Sequence, residues 1–182
     1  MPTIFAHTRD GVLSSTPNSL SFADARGFTG NAIIDTTSPY LDESVATIRF
    51  SGRGADTFRI SRSFLYFDCT SITVQPASAT LKIYIRNTSE DGNIRVIKST
   101  AFGLTTNGAS PTDLADTDFD NVDFTTTYSD EVTVSSAGSL SITLTSDALA
   151  DMVSRDYLGL ALVNNPYDYN NTAPTSGANH KT

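Results

Sequence analysis

Chemistry by side chains needs nucleophiles, acids and bases in suitable combinations, and this chain is poor in them. Its two histidines, His7 and His180, stand near opposite ends, so a histidine-based triad is not expected. No G-x-S-x-G elbow, H-E-x-x-H pair or Walker-type glycine loop occurs. A pair of carboxylates of the glycosidase kind would meet only in the fold, and nothing singles out two of the 20 acidic residues. The sequence therefore points away from an enzyme, with no catalytic, cofactor-binding or metal-binding residue assigned.

Weaker patterns carry possible binding chemistry. Asp116, Asp118, Asp120 and Asp123 alternate like the oxygen ligands of a calcium loop. Counted from Asp116, however, an EF-hand needs Gly at its sixth position and Glu at its twelfth, where Asn121 and Thr127 stand. A solvated acidic loop is the expectation. Tyr167 and Tyr169, in Pro-Tyr-Asp-Tyr-Asn-Asn, could stack on a sugar beside amide side chains, but such tyrosines more often cover the edge of a core. Ser51 to Asp56 reads as a glycine-rich turn. Sequons at Asn87 and Asn170 would matter only in a glycosylating pathway. Cys69 is the single cysteine, which excludes an internal disulfide and a cysteine-rich zinc site; it is expected to be a small buried residue.

The elements that would carry these residues are strands. Among 182 residues there are 26 Thr and 22 Ser, with 38% hydrophobic and only 18% charged residues. Thr suits a half-exposed pleated surface, whereas both hydroxyl residues are indifferent to poor inside helices. Leu140, Ile142 and Leu144 alternate with Ser and Thr, as do Ala79, Leu81, Ile83 and Ile85 with polar residues or tyrosine. Such a period of two marks antiparallel strands with one dry face. Further strands are expected at Ala46 to Phe50, Ile94 with Val96, Val132 with Val134, and Leu158 to Leu162. Phe64, Leu65, Tyr66 and Phe67 put apolar bulk on both sides, which predicts a central strand covered on each face. Turns are expected at Asp10-Gly11, Gly52 to Gly54, Asn107-Gly108 and Ala137-Gly138, and Asp91-Gly92 suggests a hairpin connection.

One short helix is expected, capped by Ser146 and carrying Leu149, Met152 and Val153 on one side. Residues 103–121 read as a long polar connection of the functional or mobile kind. No apolar strand follows Val163, so either a closing strand is missing or a partner supplies it. The expectation is a single all-β domain over residues 1–182: an antiparallel β-sandwich with one short helix, an N-terminal contact segment and a polar tail.

The net charge of −8 disfavours a nucleic-acid partner, whose phosphates need Lys and Arg. No apolar run is long enough to cross a membrane, and MPTIFAHTRDG has no secretory-signal pattern.

The run Arg62-Ser63-Phe64-Leu65-Tyr66-Phe67-Asp68, then Ile72, then Ala79-Thr80-Leu81-Lys82-Ile83, resembles the core of β-sandwich modules in bacteriophage virion proteins and in bacterial surface proteins of the carbohydrate-binding-module-like kind. Asp10-Gly11-Val12, Phe22-Ala23-Asp24-Ala25-Arg26, Phe119 to Tyr128, the helix at Ala148 to Val153 and the strand at Leu158 follow in the order of such modules. The resemblance implies a jelly-roll-like structural protein of the virion, made in the host cytoplasm. Its implied role is capsid decoration or cement, as a homo-oligomer in contact with the major capsid protein or other virion subunits. The alternative is a receptor- or carbohydrate-binding module of a tail fibre or cell-surface protein.

Overall fold

The computed structural model describes residues 3–6, 10–15, 21–35, 46–51, 57–85, 92–108 and 110–174, and of residues 33–35 and 46–51 the backbone only. His7, His180, the turn at Gly52 to Gly54, most of Ser51 to Asp56, Asp91 and the sequon at Asn87 lie outside the described residues. The chain is all-β with short helices. Its strands are β1 (Gly11–Ser14), β2 (Ile33–Asp35), β3 (Ala46–Ser51), β4 (Thr57–Asp68), β5 (Thr80–Ile85), β6 (Asn93–Ser99), β7 (Val122–Thr127), β8 (Val132–Thr133), β9 (Gly138–Thr143) and β10 (Tyr157–Asn164).

Among the described residues, eight strands make one antiparallel sheet in the order β2-β1-β4-β10-β6-β7, with β3 also on β4 and β8 also on β6. β4 has 12 residues, enough to carry two strands end to end: β3 pairs with residues 57–62 and β10 with residues 63–68. β5 and β9 form a separate two-stranded ribbon. β4 alternates Phe58, Ile60, Phe64 and Tyr66 into one core and Leu65 and Phe67 into another, so it is central and covered on both faces, as its sequence predicts. β10 behaves likewise and is buried throughout, with Ala161 and Val163 on one side and Leu158, Leu160 and Leu162 on the other.

Different elements cover the two faces. Over the first lie α1 (Phe22–Arg26) and the segment after β6, through Phe22, Ala25, Phe102, Leu104, Leu114 and Phe119. Over the second lie the ribbon and α2 (Ser146–Ser154), through Leu81, Ile142, Leu149 and Met152.

Several expectations need correction. α1 is a second helix, too short for a periodic signal, with Ser21 accepting the amide of Asp24 as its cap. At α2 the cap position belongs to Thr145 rather than Ser146, and the Thr145 hydroxyl donates instead to the carbonyl of Thr127. Gly11 opens a strand rather than a turn. Gly92 does not close a hairpin, since β5 pairs with β9 and β6 lies in the other sheet. The segment 103–121 is a core cover: Leu104, Leu114 and Phe119 are buried, and it includes a 3-10 helix, Asp116–Asp120. β10 itself is no open edge, since it has β4 on one side and β6 on the other.

The cover after β6 is tightly seated. Phe102 holds φ at 63°, a strained value for a bulky residue, and its ring is fully buried. The Tyr157 hydroxyl donates to the carbonyl of Leu104 at 3.0 Å. Gly159 of β10 is what lets this layer approach: a Cβ there would stand 2.8 Å from both the Leu104 side chain and the Ser99 carbonyl oxygen. Because one of those obstacles is backbone, Gly159→Ala should cost about 1–3 kcal/mol of stability through overpacking. A lowered urea midpoint with an unchanged m-value would register it; an unchanged midpoint would show that the cover yields.

Candidate functional site

A charged residue inside a strand covered on both faces requires an opposite charge, because a desolvated ion alone is too costly. Arg62 is that residue. Its side chain and that of Asp168 are both 0% exposed. Arg62 Nε donates to Asp168 Oδ2 at 2.8 Å and Nη2 to Oδ1 at 2.9 Å, a bidentate pair. Two more donations reach backbone: Nη2 to the carbonyl of Arg26 at 2.8 Å and Nη1 to that of Phe119 at 2.9 Å. The guanidinium also lies 4.3 Å from the Phe119 ring centre.

Asp168 belongs to a turn of π-helix, Asn165–Tyr169, directly after β10. There Asn164 accepts the amide of Tyr167, and Arg26 Nε donates to the Asp168 carbonyl at 2.7 Å while its guanidinium covers Phe124 at 4.0 Å. One buried pair thus ties together β4, α1, the 3-10 helix and the π-turn.

A second cluster sits over the opposite face. Lys98 Nζ lies 2.7 Å from Asp151 Oδ2, and the Tyr128 hydroxyl donates to the same oxygen. Burial acts to raise the Asp151 pKa, but the hydrogen bonds from Lys98 and Tyr128 outweigh it and hold the carboxyl below its ordinary value. The Tyr128 phenol is pushed up, first by burial and then by its bond to Asp151. An ammonium, a carboxylate and a protonated phenol in this arrangement satisfy one another, fastening α2 to β6 and to the chain after β7.

The acidic alternation is not a set of convergent ligands. Asp118 is buried, and its carboxylate accepts from the amides of Phe102 and Ala115 and from Asn121 Nδ2 at 3.2, 2.9 and 2.6 Å. That corrects the expectation of a wholly solvated loop: Asp118 holds the cover in place. Asp123 accepts from the Thr125 amide and from the hydroxyls of Thr125 and Thr126; these bonds lower its pKa against the raising effect of burial. Asp120, half-exposed, stands 4.0 Å from Arg62. The carbonyl of Asp116 accepts the amide of Ala32. Among the described residues no group of three or more His, Cys, Asp or Glu could hold a metal ion.

Tyr167 and Tyr169 are half-buried against the first core. Arg95 stacks on the Tyr169 ring at 4.4 Å and donates to Asn165 Oδ1 at 2.7 Å. Asn170 and Asn171 are exposed, and Asn171 has φ 52° in the turn that follows. Cys69 is buried, and burial pushes its thiol up to about 12.

Sequence reasoning missed Asp168, which stands between the two tyrosines weighed for sugar binding. The available signal was Arg62, a cation two residues before the run Phe64 to Phe67 that reads as covered on both faces. It also missed Asp10, whose Oδ1 accepts the amide of Tyr66 at 2.9 Å and whose pKa burial raises from 3.8 to about 7, the Tyr66 bond opposing.

Two outcomes follow for stability. Asp168→Asn leaves the buried Arg62 cation with only the half-exposed Asp120, 4.0 Å away, as counter-charge and should cost about 3–5 kcal/mol. Replacing both members by apolar residues should cost less than that single change; denaturant unfolding of the two variants gives the comparison. For Asp10 the folded pKa lies above the unfolded one, so its contribution is fully present below 3.8 and is lost as pH rises through about 7. Asp10→Asn keeps an oxygen for the Tyr66 amide and has no charge to desolvate. It should therefore melt above the parent on the alkaline side of that window and with it on the acid side; parallel melting curves across the whole range would contradict this.

Comparison with protein-family models, curated protein sequences and solved structures finds no match for the chain.

Proposed function

We propose that the chain is a virion structural protein of the capsid decoration or cement kind, acting through protein–protein contacts with the major capsid protein or other virion subunits. The observation that carries the reading is a division of labour among side chains. The buried Arg62, Asp168 and Asp118 and the partly buried Lys98 and Asp151 are engaged in internal contacts. In contrast, among the described residues three large apolar groups stand in solvent: Phe5 at 83%, Val74 at 77% and Tyr84 at 74% exposure. Aromatic side chains that a partner buries are frequent contact anchors. Phe5 is placed for that role, since its neighbour Ile4 packs on the second core and fixes the base of the N-terminal segment. The packing of the ribbon over one face of the large sheet supports a sandwich, jelly-roll-like description of the fold within the same reading.

The alternative, a receptor- or carbohydrate-binding module, asks for aromatic faces open to a sugar. One face of Tyr169 is instead taken by Arg95.

Particles from the source, separated on a density gradient and analysed by quantitative mass spectrometry, should contain this chain in fixed proportion to the major capsid protein. Phe5→Ser should lower that proportion without altering the melting temperature of the isolated chain. Absence from the particle fractions would sink the proposal and turn attention to glycan binding.

A further inference from the structure

The ribbon is the part of the fold whose strand pairing is least complete. Among the described residues, β5 and β9 pair only with each other, in an unbroken register from Thr80↔Thr143 to Ile85↔Gly138. Natural edge strands are protected by bulges, prolines, inward charges or a covering element, since their open N–H and C=O groups template another strand. Neither strand has a proline or a register break, and Lys82 is the only charged residue in the two.

We propose that β5 pairs edge to edge with β5 of a second copy of this chain, antiparallel across a two-fold axis passing at Ile83. The backbone phase permits it. The Leu144 amide donates to the Ala79 carbonyl at 3.0 Å, so Ala79 and Leu144 form a hydrogen-bonded pair. Antiparallel pairs alternate between bonded and non-bonded, which turns the N–H and C=O of Thr80, Lys82 and Tyr84 away from β9, toward the outer edge. With Ile83 on the axis, Lys82 of one copy exchanges both bonds with Tyr84 of the other, twice over.

Charge selects the same register. An axis at Lys82 would set two ammonium groups opposite each other, and like charges directly opposed are destabilising. One residue along, each Lys82 instead meets the exposed Tyr84 ring of the other copy, a cation–π pair on the outward face. On the inner face the half-buried Ile83 opposes itself, and the buried Leu81 and Ile85 stand opposite each other without a charge between them. In a chain of net charge −8 the approach of two copies is repulsive, and residues 80–85 and 138–143 contain no carboxylate. A self-complementary patch about a two-fold axis is the commonest way identical chains associate. This inference concerns the isolated chain and stands or falls apart from any role on a particle.

The test is the mass of the purified full chain in solution by sedimentation equilibrium. The parent should approach twice 19.5 kDa as concentration rises. Tyr84→Lys, at an exposed position, should return it to the single-chain mass with an unchanged circular dichroism spectrum. Adding Lys82→Glu to that variant should restore the doubled mass, since each introduced carboxylate then faces an introduced ammonium. Hydrogen exchange on the parent supplies a reading that needs no variant: the amides of Lys82 and Tyr84 should become protected with rising concentration. A parent that remains single at all concentrations, a Tyr84→Lys variant that stays doubled, a charge swap that fails to restore association, or Lys82 and Tyr84 amides that exchange freely in the doubled species would each overturn the proposal.

Discussion

A guanidinium withdrawn from water is the constraint around which one whole side of this molecule is organised. Arg62 projects from β4 on the same face as Phe58, Ile60, Phe64 and Tyr66, where no solvent reaches it. Its charge and its donors must be met from within the protein. The acceptors come from three segments outside the strands: the Arg26 carbonyl at the end of α1, the Phe119 carbonyl in the 3-10 helix and the Asp168 carboxylate in the π-turn. None of these segments is long enough to be stable alone. Arg62 gives them a common anchor.

The opposite face is closed differently. There the cover is a regular ribbon and a nine-residue helix, each with its own hydrogen-bonded ladder, and one surface-proximal cluster fastens the helix. The shared Asp151 oxygen, held between Lys98 and Tyr128, is only partly shielded, and its worth is correspondingly smaller than that of a fully buried pair. The large sheet is thus clamped by an irregular layer that depends on a deep ion pair and by a regular layer that depends mainly on apolar contact.

That difference explains which parts of the fold were legible in the sequence. Leu140, Ile142 and Leu144 alternate because one side of β9 faces the core, and the run Phe64 to Phe67 fails to alternate because β4 is covered twice; periodicity reports both situations directly. The helix at 146–154 was visible for the same reason. The irregular layer carries no period. Asp118 serves as a buried acceptor for two amides, but in sequence it is one acid in an acidic run. Asp168 pairs with a residue 106 positions away, a relation no local window contains. Tyr167 and Tyr169 were readable as core-edge residues, whereas the function of the aspartate between them depended on where β10 would lie. The pairing of β5 with β9 rather than β6 is likewise a matter of topology, since the residues near Gly92 allow either.

Apolar side chains of matching shape would fill the space around Arg62 without the desolvation cost, and such replacements in buried pairs are often neutral or stabilising. Net stability is therefore a poor account of why Arg62 and Asp168 stand there. A greasy layer made of short, irregular segments has many near-equivalent ways to settle on a flat sheet face. The fork of a guanidinium has few: its donors are directional, and each unmet one in a dry site carries a penalty. The four donations together fix α1, the 3-10 helix and the π-turn relative to β4 and relative to one another. The pair's contribution is to registry: it sets where the three irregular segments sit on the sheet.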